Sequence, residues 1–207
     1  LDLINSFGFI NNYELLVKNF NADSENSKNI KNKKENNLQG ILQFNSKLPL
    51  KKEGYKFNSS LTPIFVAKFN PSKNKNIKSS DRLVEYDNIY SINRISSNET
   101  LEGKSSITIG NEFKLLDKDD DKEIFGINLA TSFRDEENED LPTKSSIGQK
   151  TSNIVGKMNL DLNDTLKFEY DFLADNNIGH FNYHKFNTSF KVNNFVTSFE
   201  FLEEAND

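Results

Sequence analysis

Between Leu166 and Phe172 the chain alternates without a break: Leu166, Phe168, Tyr170 and Phe172 hold one parity, and Lys167, Glu169 and Asp171 the other. A period of two puts the apolar side chains on one face of a strand and the charges on the opposite face. The same alternation recurs along the chain and predicts strands near 3–10, 13–20, 38–46, 57–69, 103–116, 122–133, 151–162, 165–174, 180–192 and 195–203. Ile107, Ile109, Phe113 and Leu115 oppose Ser106, Thr108, Gly110, Glu112 and Lys114; Met158, Leu160 and Leu162 oppose Lys157, Asn159 and Asp161; Phe186, Phe190 and Val192 oppose Asn187, Ser189 and Lys191. Small and polar residues on one parity, rather than a second apolar face, predict a wet interior and a wide barrel.

The links between these runs alternate in length. Short ones are Asn11-Asn12, the stretch 47–56, Asp117 to Asp121, Asn163-Asp164 and Asn193-Asn194, with Asn and Asp suited to the left-handed conformations of tight turns. Longer ones are 21–37, 70–102, 134–150 and the modest 175–179. The first is rich in Asn, Lys, Ser and Glu, and the third carries Asp135 to Asp140, so both read as solvated loops. An outer-membrane barrel has this rhythm, because tight turns face the periplasm and long loops the outside. A Greek-key sandwich has no reason for it. Strands of about 9 to 13 residues also suit a tilted bilayer crossing of about 9–11, and exceed the usual globular strand of about 5–6. The pattern therefore predicts an all-β, antiparallel, up-and-down transmembrane barrel segment of about ten strands, with its apolar parity in lipid.

Composition fits. The 207 residues hold 35% hydrophobic side chains, 18 Phe, no Trp and no Cys. No apolar run approaches the roughly 18 residues of a membrane helix, which alternation would hide in any case. A formal net charge of −5, without a basic stripe interleaved with aromatics, gives nucleic-acid binding no support. Without cysteine there is no disulfide, thiolate metal site or thiol nucleophile. The chain opens on Leu1-Asp2-Leu3 inside an apparent strand and stops at Glu203-Glu204-Ala205-Asn206-Asp207 just after another, which reads as an internal piece of a longer protein.

Little else carries chemistry. His180 and His184 are the only histidines; four residues apart on a strand they stand roughly 13 Å from each other, too far for one metal. A serine such as Ser189 or Ser198 beside a histidine would suit a barrel phospholipase, but no motif supports it. Asp117, Asp119 and Asp121 match positions 1, 3 and 5 of a calcium loop, yet Lys122 replaces the glycine and Asn128 the closing glutamate, so the template fails. Pro63 removes a ladder donor and should sit near a strand end or bulge. No enzyme activity and no cofactor are expected.

Residues 48–110 carry a more specific pattern: Leu48-Pro49-Leu50-Lys51-Lys52, Leu61-Thr62-Pro63 entering a strand, Asn70-Pro71, Tyr86-Asp87-Asn88-Ile89-Tyr90-Ser91-Ile92-Asn93-Arg94, Glu102-Gly103 and Thr108-Ile109-Gly110. Ser132-Phe133-Arg134, Ser145-Ser146-Ile147 and Thr151-Ser152-Asn153-Ile154-Val155-Gly156 follow. Together these resemble the barrel of the LptD (OstA/Imp) family of outer-membrane LPS-assembly proteins, particularly its alphaproteobacterial forms. The match runs through residues 40–204, with departures at Ser96-Ser97-Asn98-Glu99, where a glycine-containing loop is usual, and at Ala130-Thr131.

The resemblance implies that residues 1–207 belong to a single outer-membrane β-barrel domain of a Gram-negative bacterium, with a periplasmic N-terminal domain and further strands outside them. It implies transport of lipopolysaccharide into the outer leaflet without covalent chemistry, this chain supplying barrel wall and extracellular loops. The implied partners are lipopolysaccharide, the lipoprotein LptE, the bridge protein LptA and the barrel-assembly machinery. Lys167, Glu169, Asp171, Lys191 and Glu200 are the expected lumen-facing polar residues, hydrated or in contact with phosphorylated sugars. Two other readings stay open: a different outer-membrane barrel such as a porin or receptor, and a secreted soluble β-sandwich that binds a partner.

Overall fold

The computed structural model describes residues 2–22, 35–162 and 165–205. Most of the predicted link 21–37, the turn Asn163-Asp164 and the last two residues lie outside them. The eleven strands among the described residues are β1 (Leu3–Ile4), β2 (Ile10–Ala22), β3 (Glu35–Lys47), β4 (Leu50–Lys52), β5 (Phe57–Asn70), β6 (Lys104–Asp117), β7 (Glu123–Arg134), β8 (Ile154–Leu162), β9 (Leu166–Ala174), β10 (Phe181–Val192) and β11 (Phe195–Glu204). All pairing is antiparallel, and each strand lies beside its neighbour in sequence; β4 continues the line of β3 along β5. One sheet wound in sequence order is a section of an up-and-down barrel wall and not the two packed sheets of a sandwich. Among the described residues the sheet is not closed: β1 and β11 are its edges.

The N-terminal hairpin differs from expectation. Asn11 and Asn12 lie within β2, and the turn is Asn5 to Phe9. There the Asn5 carboxamide oxygen accepts from the backbone N–H of both Phe7 and Phe9, and Gly8 takes a φ of 88°. An Asx turn with a left-handed glycine outcompetes a second Asn pair that is equally suited to extended backbone. Pro63 falls mid-strand, but at the break between β3 and β4, where its carbonyl accepts from Leu48 N–H. Its missing donor thus faces an interrupted ladder, the physical requirement behind the expected strand end. The start of the expected strand at 151 is trimmed to Ile154, leaving Thr151 in an isolated bridge to Phe133.

Register makes the alternation three-dimensional. Tyr13 opposes Phe44, Phe65 opposes Ile109, Ile127 opposes Met158, and Phe168 opposes Thr188 and Leu160. Directly opposed residues share a face, so the apolar sets of successive strands merge into one band. Its side chains are bare: Leu15 is 71% exposed, Ile109 50% and Phe199 59%. Pairs such as Tyr13–Phe44 and Phe168–Phe186 pack ring against ring at 5.0 and 5.9 Å. Phe172 lies across Gly156, where an added Cβ would come within 2.1 Å of the ring.

The opposite, polar face is half covered. Residues 71–103 and 135–153 do not stand off as solvated loops. They fold onto that face and share a core with it: Val84, Ile89, Ile95, Leu141 and Ile147 pack with Ala130, Val155, Leu173 and Tyr183 of the wall. Acidic residues 135–140 suggested water, but Leu141 and Ile147 pull the segment down. The two segments are tied by Ile77 N–H to the Asp140 carbonyl at 2.8 Å and by Asn138 Nδ2 to Asn74 Oδ1 at 2.7 Å. Lys144 joins Asp81 of one to Glu204 at the end of β11.

Candidate functional site

The wall side chains under residues 71–103 are polar, and each has a counterpart on the docked segment. Arg94 is the centre. Its Nε and Nη2 grip the Glu102 carboxylate at 2.7 and 2.5 Å, and Nη1 donates to Thr108 and Ser132 hydroxyls, both at 3.0 Å. The remaining Nη2 proton reaches Ser106 Oγ at 3.0 Å. All five guanidinium donors are thereby satisfied in a residue only 1% exposed. The three hydroxyls stand at inward positions of β6 and β7, where Thr108 opposes Ser132; small alternating residues there leave room for the guanidinium.

Arg134 donates to the same Glu102 oxygen and to the Gly103 carbonyl, while Lys68 donates to the Ser91 carbonyl. Burial by itself would raise the Glu102 pKa, but Arg94, Lys68 and Arg134 around it hold the carboxyl well below the usual range. A depressed folded value means that its contribution is complete above the ordinary pKa near 4.5 and disappears only as pH falls toward the folded value. Protease protection of residues 71–103 should therefore be flat from pH 8 to 5 and decline only in stronger acid. A decline centred on pH 6 to 7 would contradict this arrangement.

Further along, Gln43 Nε2 donates to the Tyr90 carbonyl at 3.0 Å, Tyr86 OH to Glu112 at 2.9 Å, and Lys157 Nζ to Asp87 at 2.8 Å. The Tyr90 ring stands edge-on to Tyr86 and seats its hydroxyl over Gly110, where a Cβ would come within 1.7 Å of the oxygen. Burial raises the pKa of both tyrosines, Tyr86 further through Tyr90 and Glu112; both rings are neutral at physiological pH.

Beyond the docked segment the polar face is open. A concavity of about 650 Å³ lies over β7 to β11, lined by Lys157, Asn159, Asp161, Lys167, Glu169, Asn187, Ser189, Ser198 and Glu200, with Ile124, Leu160, Phe168 and Phe199 of the same strands also along it. Of the residues singled out in the sequence, Lys167, Glu169 and Glu200 border it. Lys167 pairs with Asp161 at 2.9 Å, Glu169 with Lys157 at 3.5 Å, and Glu200 with Lys185 at 3.8 Å. Asp171 shares their parity but is buried, 3.9 Å from Lys157. Lys191 opposes Val196 beside the Asn193-Asn194 turn, outside the concavity. Sequence reasoning did not single out Lys157 and Asp161, which link these charges across strands; both lie on the polar parity of a recognised strand. Arg94, Glu102 and Arg134 belonged to the recognised motifs, but nothing in their spacing announces a buried cluster.

Other candidates resolve simply. Asp117 and Asp120 cap the turn after β6 by accepting from Asp119 and Lys122 N–H. His184 stacks on Tyr170 and Phe181 on the bare face, its Nδ1 2.5 Å from the Tyr170 hydroxyl, and His180 sits in the turn before β10.

A sequentially wound sheet with one bare apolar face and one polar face is the wall of an outer-membrane β-barrel protein. The whole chain, residues 1–207, matches the family model LptD, LPS transport system D. The protein belongs to this family of Gram-negative outer-membrane proteins, which acts in LPS transport and is not an enzyme family. That membership sets aside the porin and receptor reading. A search of curated proteins found no match.

Proposed function

We propose that this chain forms one stretch of the wall of a larger LptD barrel, a single domain with further strands beyond its two edges, and that its polar face is the lumen through which LPS sugars pass. The observation that carries this is the exposed apolar band running from β2 to β11. A continuous apolar surface of that extent is untenable in water and ordinary in lipid. The acyl chains of LPS travel in the bilayer, while sugars and phosphates meet the wet side, where Lys167, Glu169 and Glu200 border the concavity, Lys191 lies beside the turn and Asp171 is buried beneath. Residues 71–103 and 135–153 close the outer end. LPS arrives through LptA, LptE stands in the lumen, and the barrel-assembly machinery inserts the wall; family membership supports these partners.

The native chain has no cysteine, so labelling can test the assignment directly. In outer-membrane vesicles, Glu169→Cys should react with a membrane-impermeant thiol reagent and Phe168→Cys should not. The reverse pattern would sink the lumen assignment.

A further inference from the structure

Among acceptors such as Thr108, Ser132 and Glu112, the wall under residues 71–103 carries a strip of five donor residues. Gln39 Nε2 donates to the Lys73 carbonyl at 2.8 Å, Gln43 Nε2 to the Tyr90 carbonyl at 3.0 Å, and Asn70 Nδ2 to the Glu102 carbonyl at 2.8 Å. Lys68 donates to the Ser91 carbonyl, and Arg134 to the Gly103 carbonyl and the Glu102 carboxylate. These five residues come from β3, β5 and β7, and each is less than a tenth exposed. In five of the six bonds the acceptor is a backbone oxygen, which carries no sequence information. These five residues include no carboxylate; Glu102 belongs to the docked segment, and the wall's own Glu112 lies further along, against Tyr86. Arg134 Nε and Gln43 Oε1 are buried without a partner, so the segment leaves one donor and one acceptor of the strip unsatisfied.

We propose that this strip is a second binding site, for the phosphorylated saccharide of a glycolipid, and that residues 71–103 occupy it as a resident stand-in. Sugar oxygens can take the places of the backbone carbonyls. A phosphate can take the place of the Glu102 carboxylate against Arg134 and Lys68, with more charge and more acceptor atoms, and the guanidinium fork matches it bidentately. One set of donors cannot serve both occupants, so glycolipid binding and docking of the segment compete. The lumenal route empties at its outer end only when cargo arrives to replace the segment. This inference rests on the reading of the polar face as the path of the sugars.

The competition can be read in the complete protein reconstituted in lipid vesicles. Spin labels on Ser91→Cys in the docked segment and Lys118→Cys in the turn after β6 report the separation of segment and wall; both positions are exposed. The probes are a bis-phosphorylated disaccharide lipid, the same lipid with its phosphates removed, and inorganic pyrophosphate. The phosphorylated lipid should broaden and lengthen the distance distribution, and the other two should need at least about tenfold more. No response to any probe, or an equal response to either control, overturns the site.

Two variants separate a binding strip from a simple latch. Glu102→Gln loosens the dock but leaves the strip intact, so half-response should need about tenfold less phosphorylated lipid. Arg134→Gln loosens the dock as well, yet removes a donor of the strip, so it should need at least about tenfold more. Shifts in the same direction overturn the proposal. If Glu102→Gln fails to assemble, Thr108→Ala combined with Ser132→Ala removes two acceptors of Arg94 and should shift the response as Glu102→Gln would. Delivery of LPS to the outer leaflet by the same vesicles keeps the two readings apart: delivery without a label response refutes the second site alone, and absence of delivery refutes the transport reading.

Discussion

Replacing Arg94 with Met should release residues 71–103 from the wall while leaving the strands paired. Met fills much of the same volume but offers none of the five donors that reach Glu102, Thr108, Ser132 and Ser106. Removing one member of a buried ion pair costs about 3–5 kcal/mol, because the remaining charge stays buried without its counter-ion. Here Glu102 keeps Arg134, which places the expected loss toward the lower end of that range. Arg94→Lys should recover little, since a point charge cannot serve a bidentate carboxylate and three hydroxyls together. The measurement is trypsin cleavage after Lys78 and Arg82. Both should be protected in the native protein and cut rapidly in Arg94→Met, with heat-modifiable gel mobility of the barrel unchanged. Protection equal to native would show that Arg94 is not the pin.

The second large effect concerns the bare face. Met158 opposes Ile127 and Tyr170 in the middle of the apolar band, and its neighbour Asn159 lines the polar concavity. Met158→Lys places an ammonium against hydrocarbon, a cost of about 2–4 kcal/mol at the bilayer midplane that falls toward the interfaces. Asn159→Lys adds the same charge to a hydrated surface already bearing Lys157 and Lys167, where substitutions stay within about 0.5 kcal/mol. Denaturant unfolding of the complete protein in vesicles should separate the two by several-fold in their effect. Equal costs would mean that the two parities do not see different solvents.

How much of this could be read from the sequence varies along the chain. The alternation at Leu166 to Phe172 and at Ile107 to Leu115 dictates both faces, since a strand can turn its side chains only two ways. Short Asn and Asp turns such as Asn193-Asn194 were legible for the same local reason, Asn193 taking a φ of 53°. Asn11-Asn12 misled because Asn suits both a turn and a polar strand position, and Asn5 with Gly8 decided the matter. The docked segments were not legible. Asp135 to Asp140 pointed to water, whereas the clue lay in Val84, Ile89, Ile95, Leu141 and Ile147, apolar residues too irregularly spaced to form a strand yet too numerous for a solvated link. Where they pack depends on residues 130, 155 and 173 of strands distant in the sequence from most of them, and no local pattern encodes that. Of the charges expected in the lumen, Lys167, Glu169 and Glu200 border the concavity, as their shared parity allows; the cross-strand partners Lys157 and Asp161 required the register.

Docking of the two segments also sets the timing of assembly. Each hairpin closes locally, with only Asn193 and Asn194 between β10 and β11. The segment contacts reach much farther: Val84 meets Ser145 across 61 positions, and Lys157 meets Asp87 across 70. Such contacts bear a loop-closure entropy that local pairing does not, and they form late. Residues 71–103 can seat fully only after β3, β5, β7, β8 and β10 stand side by side, because their partners are distributed over all of these. Full seating of this segment is therefore a chemical record that these strands stand paired, and a protein caught mid-insertion would still carry this stretch as an open, cleavable chain.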